Sequence, residues 1–183
     1  MDKKTIGIIV GSLRRDSYNK KVAECLAELL KERFETRMLD IASLALYNED
    51  LDNDAKMPQE WRSFRQDVKA VDAVLFVTPE YNRSVPAALK NALDVASRPM
   101  TENAWKGKPG AAVSVTQGKI GGFGANHHLR QAAVCLNIHM MAQPEAYIGG
   151  IAEMIGENGV PSEEFMGFLK KFASAFANWI DKN

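Results

Sequence analysis

The sequence predicts an α/β fold, a doubly wound three-layer sandwich built on a five-stranded parallel sheet of order 2-1-3-4-5. Two observations carry this. Short apolar runs alternate regularly with longer amphipathic ones along the chain. The short runs are nearly continuous in apolar residues, as strands covered on both faces by helices are. Right-handed crossovers leave few doubly wound topologies for a chain of this size, and the order 2-1-3-4-5 puts a ligand crevice beyond the carboxyl ends of strands 1 and 3.

The elements follow in order. Thr5 to Val10 is apolar and stops at Gly11, so it reads as the first strand. Val22, Leu26, Leu29 and Leu30 recur at helical spacing and predict a helix from Tyr18 to Arg33. Phe34 to Leu39 alternates as the second strand. Residues 40 to 57, with Asp50, Asp52 and Asp54, read as an irregular acidic loop. Pro58 opens a helix with Trp61, Phe64 and Val68 on one face. Ala73 to Thr78 is the third strand. After a polar loop, Pro86 leads into a helix carrying Leu89, Leu93 and Ala96. Pro109 to Val115 is a strand of small residues, and Asn126 to Leu136 a helix. Met140 to Ile148 is the last strand, interrupted by Pro144. Phe165, Leu169, Phe172, Phe176 and Trp179 form the apolar stripe of a C-terminal helix.

With 183 residues, the chain suits one domain spanning 1–183 that needs no disulfide or metal for its core. Lys plus Arg and Asp plus Glu both total 23, and this neutral balance argues against nucleic acid or a membrane surface as the main partner. Cys25 and Cys135 form no C-x-x-C pair and read as small buried apolar residues of helices. The start, Met1-Asp2-Lys3-Lys4, lacks the apolar core of a signal peptide, and no run reaches the length of a membrane span, so the cytoplasm is expected. His127, His128 and His139 lack metal-ligand spacing, and the first two read as helix or interface residues. Ser84 lies outside any G-x-S-x-G pattern.

Three loops meet at the expected crevice. Gly11 to Asn19 joins the first strand to the N-terminus of a helix, where unpaired N–H groups and the helix dipole favour an anion. Ser12, Ser17 and Asn19 add donors there and Arg14 a full charge, a set that suits a phosphate monoester. The plainer alternative is a turn in which Asp16 or Ser17 only caps the helix. The loop Pro79 to Pro86 places Tyr81 against a planar ring, with Asn82 and the N–H groups of residues 82 to 84 at its edge. Glu80 bonds a ring N–H or orients the loop, and Ser84 alone is also explained as a cap. Thr116 to Gly124, rich in glycine, either wraps the polar edge of a ring or is a flexible connection.

Gly11-Ser-Leu-Arg-x-x-Ser-x-Asn19, Pro79-Glu-Tyr-Asn-x-Ser-x-Pro86 and Leu89-Lys-Asn-Ala-x-Asp94-x-x-Ser97-Arg98-Pro99 together resemble the NADPH-dependent FMN reductase family, in particular its bacterial quinone reductase and chromate reductase members. The resemblance spans nearly the whole chain. It implies a flavodoxin-like fold with non-covalent FMN, phosphate contacts at Ser12, Arg14, Ser17 and Asn19 with Tyr18 beside them, and ring contacts along Pro79, Glu80, Tyr81, Asn82, Arg83 and Ser84. A further contact comes from Thr116, Gln117 and Gly118. It also implies a homodimer, often paired into a homotetramer. Ala87 stands where many members have Gly, and Val95 where many have Trp, which bears on the acceptor site.

On this reading NADPH or NADH reduces the flavin, and a quinone, flavin, azo compound or chromate then reoxidises it in a ping-pong cycle. Backbone N–H groups near Asn82 and Gly118 stabilise the charge of the reduced ring. No side chain is assigned as acid or base. Arg83, Arg98 and Lys106 are candidates for the nicotinamide phosphates, or else solvated surface charges. Two other readings remain. A flavodoxin-type carrier would hold FMN without small-molecule turnover, but such carriers are acidic and lack an arginine in the phosphate loop. A flavin-free module of the same fold is the third; no acidic cluster ends strand 1 to make it a phospho-acceptor.

Overall fold

The computed structural model describes residues 3–53, 55–156 and 160–183. Met1, Asp2 and Asp54, named above, lie outside them. The strands are β1 (Thr5–Val10), β2 (Glu35–Met38), β3 (Ala73–Thr78), β4 (Pro109–Val115), β5 (His139–Met140) and β6 (Ala146–Ile148). The helices are α1 (Tyr18–Leu30), α2 (Gln59–Lys69), α3 (Ala87–Ala96), α4 (Phe123–Cys135), α5 (Ile151–Met154) and α6 (Glu163–Lys182).

All strand pairs are parallel, in the order β2-β1-β3-β4-β5, with β6 also on β4. This is the flavodoxin-like order the sequence predicts. Every residue of β3 and β4 is buried, which explains why neither run alternates. Val22 and Leu26 of α1, with Leu169, Phe172 and Phe176 of α6, cover Ile6, Ile8, Leu75 and Val113 on one face. Trp61 and Phe64 of α2, Leu89 and Leu93 of α3 and Leu129 of α4 cover Ile9, Val74, Phe76 and Ala112 on the other. The chain leaves β1 through α1 to the outer strand β2, then crosses back through α2 to β3. The loops after β1 and β3 therefore part at the crevice.

The differences have local causes. The last strand is two short pieces: Pro144, which has no N–H to give a ladder, lies in the gap between them. Helix α4 begins at Phe123, earlier than its apolar pattern suggests, because Gly122 takes a left-handed φ of 73° and turns the chain into the helix. Helix α1 stops at Leu30, where the N–H groups of Arg33 and Phe34 both bond the Leu30 carbonyl.

One expectation is corrected. Cys135 is exposed and Cys25 only half-buried, so neither is a core residue. The described residues of segment 40–57 are irregular, as expected, apart from a single tight turn at Glu49–Leu51, and side chains pin them in place. Asp52 and Arg65 form a buried two-point ion pair at 2.8 and 2.9 Å, and Arg65 Nε also donates to Val95 O at 2.8 Å. Asn91 brackets the same segment, accepting from Tyr47 N at 2.8 Å and donating to Ala45 O at 3.0 Å.

Candidate functional site

At the carboxyl edge of the sheet, the loops after β1, β3 and β4 enclose a crevice of about 170 Å³. Ser12, Arg14, Ser17, Tyr18, Asn19, Pro79, Glu80, Tyr81, Thr116 and Gln117 line it, joined by Val115 and Ile151. These residues come from three distant stretches of chain, and the topology alone brings them together. Asn82, Arg83, Ser84 and Gly118 flank the crevice without lining it.

The first loop is built to receive an anion. No acidic residue occupies the first turn of α1. Ser17 caps the helix, accepting from Lys20 N at 3.4 Å. An oxygen that accepts this bond still has its own proton to donate, so capping and anion binding are compatible at Ser17. Among the described residues Arg14 pairs with nothing, although it is exposed at the mouth of the crevice.

Asn19 tests what ligand fits. It is 5% exposed; its Nδ2 donates to Val115 O at 3.3 Å, and its Oδ1 has no partner. Turning the amide over would set two acceptors against each other, so this orientation is fixed by Val115. A buried carbonyl oxygen without a donor costs about 1–3 kcal/mol. A fully ionised phosphate has no proton to offer it, whereas a hydroxyl beside the phosphate has. A polyol phosphate, such as the ribityl phosphate of FMN, brings an anion for Arg14 and hydroxyls for Asn19. The residues present fit that group.

The second loop is a tight antiparallel turn. Tyr81 N donates to Ser84 O at 3.0 Å and Ser84 N to Tyr81 O at 2.9 Å. Asn82 and Arg83 between them have φ of 50° and 63°. Two successive left-handed residues define a primed turn, which costs a non-glycine residue about 1–2 kcal/mol each. Strain of this kind is commonly held at ligand sites. The turn leaves the N–H groups of Asn82 and Arg83 free to meet a ring edge and engages that of Ser84. Ser84 Oγ is also engaged, 2.9 Å from His128 Nδ1. Tyr81, 49% exposed, lines the crevice.

Glu80 takes the second of its two expected roles. Its Oε2 accepts from Ala125 N at 3.0 Å in the first turn of α4, and its Oε1 lies 3.4 Å from Arg83 Nη1. The carboxylate thus ties the ring loop to α4 while Glu80 also lines the crevice. Gly124 permits this approach: a Cβ there would stand 2.5 Å from Arg83 O.

The third loop is not a slack connection. Thr116 N donates to Ile148 O at 2.8 Å, Thr116 Oγ1 to Gly118 O at 2.9 Å, and Ser114 Oγ to Gly121 O at 2.6 Å. Beside it lies a cluster the sequence reading missed. Tyr147 O–H donates to Glu145 Oε1 at 2.6 Å and accepts from His127 Nε2 at 3.0 Å, and the Phe123 ring lies 4.1 Å from that of His127. Burial first, then the Glu145 carboxylate, pushes the Tyr147 hydroxyl up to about 12. The aromatic character of residues 123 and 147 was visible; their meeting required the fold.

Arg98 and Lys106 are not brought to the crevice. Helix α3 starts at the carboxyl edge and runs antiparallel to the strands, so Arg98, just past its end, and Lys106, just before β4, sit at the opposite edge. There Arg98 lines a groove with Arg65, Lys69 and Glu102. Arg83 stays at the crevice edge, with its side chain 71% exposed.

The chain is similar to known proteins over most of its length. The family model described as NADPH-dependent FMN reductase matches residues 5–153. A quinone reductase of Pseudomonas putida is 49% identical over 179 residues, covering 98% of this chain and 96% of its own. A 2-hydroxy-1,4-benzoquinone reductase of a Burkholderia species is 45% identical, covering 96% of this chain and 95% of its own. Among solved structures, FerB of Paracoccus denitrificans, a flavoenzyme NAD(P)H:(acceptor) oxidoreductase, superposes with a TM-score of 0.90 at 41% identity, with 98% of each chain covered.

Proposed function

The chain belongs to the NADPH-dependent FMN reductase family, and from that membership we propose that it is an FMN-dependent oxidoreductase passing electrons from NADPH or NADH to quinones. One observation carries the reading. Among the described residues, an unpaired Arg14 and an orphaned Asn19 Oδ1 share one crevice with the half-exposed Tyr81, a fit to a polyol phosphate that ends in a planar ring.

Ser12, Arg14 and Ser17 would hold the phosphate, Asn19 and Tyr18 the polyol, and Tyr81 with the free N–H groups of Asn82 and Arg83 the ring. Thr116, Gln117 and Gly118 would close its polar edge. FMN held there would supply the two-electron chemistry that links the nicotinamide to the acceptor. The chain's own part is positional and electrostatic. The turn at Asn82–Arg83 would offer two backbone N–H dipoles to the negative charge of a reduced ring, and Glu80 and His128 brace it from α4. No side chain need move a proton, since a quinone can take its protons from water at the open crevice.

The same open site suits free flavins, azo compounds and chromate as further acceptors. The protein works as one domain in the cytoplasm, as a homodimer or homotetramer. Exposed apolar side chains at Ile120, Phe123 and Val134 support the assembly. Among the described residues no helix is long and apolar enough to cross a membrane.

The test is anaerobic spectroscopy. The purified protein should take up FMN, lose its yellow colour on addition of NADPH and regain it with benzoquinone. Protein that binds no FMN would end the reading. Bound flavin that NADPH leaves yellow would favour the carrier, although such carriers are acidic and this chain has no net charge.

A further inference from the structure

A second cleft opens beside the first, between the loop after β1 and the segment that follows β2. It measures about 320 Å³, within the range of small-ligand pockets. It borders the FMN crevice at Ser12 and Arg14.

Its chemistry is divided. The floor is apolar: Leu39 and Ile41 are buried beneath it, and Leu13 and Met38 stand 54% and 44% exposed at its walls. Exposed aliphatic surface of this kind suits a flat heterocycle. The rim is basic: Arg14, Arg15 and Lys20 line it, all exposed and none with an ion-pair partner among the described residues. Their only acidic neighbour in the cleft, Asp40, already accepts from Ala42 N at 2.9 Å through Oδ1. A carboxylate favours a sugar diol, and cations favour a phosphate on that sugar. Here the cations outnumber the carboxylate, and Arg15 and Lys20 are not needed for the FMN phosphate.

We propose that this cleft seats the adenosine 2′-phosphate end of NADPH, and that Arg15 and Lys20 make the enzyme prefer NADPH to NADH. The inference rests on the reading above, that the neighbouring crevice holds FMN and receives the nicotinamide.

The experiment uses FMN-loaded enzyme and two nicotinamide-free probes, adenosine 2′,5′-bisphosphate and adenosine 5′-monophosphate, titrated calorimetrically. The bisphosphate should bind at least about tenfold more tightly, a difference of about 1.4 kcal/mol. Arg15→Ala with Lys20→Ala should abolish that gap and lower the NADPH/NADH ratio of kcat/KM by about tenfold or more through KM, with FMN affinity by fluorescence quenching unchanged. Equal binding of the two probes to the unaltered enzyme, or a gap that survives in the double variant, overturns the inference. So does displacement of the bisphosphate by an equal concentration of inorganic phosphate, which would mark a general anion site. Failure of FMN to bind at all would instead sink the proposed function, so the two failures are distinguishable.

Discussion

Arg14 is an exposed guanidinium at the mouth of a crevice, without a partner among the described residues, next to a helix N-terminus and a buried acceptor that also lacks one there. The buried acceptor is costly unless a ligand completes it. Charge-assisted hydrogen bonds contribute about 1.5–3 kcal/mol each. Arg14→Ala should therefore weaken FMN binding roughly 10- to 150-fold by fluorescence quenching. Because the side chain packs against little, the melting temperature of the apoprotein should move by no more than about 1 °C. Unchanged affinity would remove Arg14 from the site. Asn19 is the more instructive neighbour. The resemblance implies a phosphate contact; the bond to Val115 O uses one of the two amide protons and leaves the carbonyl oxygen without a donor. Its role is legible only once β4 is in place beside α1.

At the scale of elements, the ring loop after β3 is held by a helix from elsewhere in the chain. Glu80 caps α4 through Ala125 N, and Ser84 meets His128 of the same helix. Losing such a cap costs about 1 kcal/mol, and for a protein of this size that lowers the melting temperature by roughly 2–4 °C. Glu80→Ala should show that loss together with weaker FMN binding, because the left-handed pair Asn82–Arg83 is then less well held. Glu80→Gln keeps an acceptor for Ala125 N and should restore both. A Gln variant that melts normally yet loses FMN as the Ala variant does would mean that the carboxylate touches the ring directly. The motif Leu89 to Pro99 is informative in the same way. Asn91 fastens the segment after β2, Lys90 bridges Asp94 at 2.7 Å, and Ser97 Oγ donates to Asp94 O at 2.8 Å. Lys90, Asn91, Asp94 and Ser97 brace α3, and none of them lines the crevice between the loops after β1, β3 and β4.

For the whole molecule, the buried Asp52–Arg65 pair ties the long excursion between β2 and α2 to the end of α3. The hydrogen bonds from Arg65 hold the Asp52 carboxyl below the usual carboxylate range, with burial opposing them and Tyr47 O–H, 3.1 Å away, assisting. A depressed native pKa means that the unfolded chain takes up this proton first as pH falls. The pair's stabilisation is then present above the ordinary Asp pKa of about 3.9 and is lost on descending through the native value. Asp52→Asn strands a buried guanidinium, and urea unfolding at pH 7 should show a loss of about 3–5 kcal/mol. Below about pH 4 the difference between the variant and the parent should shrink. A gap that stays constant down to pH 3 would mean that the pair adds no pH-dependent stability.

The amino-acid sequence determined the layered fold by itself, because β1, β3 and β4 are buried on both faces and their apolar runs need no context to be read. It also determined which loops meet, since right-handed crossovers leave one switch point. Only the tertiary structure decided what individual polar atoms do: that Ser84 N–H is used within its own turn, that Glu80 faces a helix, that Asp52 is buried, and that Arg98 and Lys106 lie at the far edge. The physical reason is one of range. Burial patterns are written locally with periods of two and 3.6 residues, whereas a hydrogen bond depends on a partner whose place is set by the path of the whole chain.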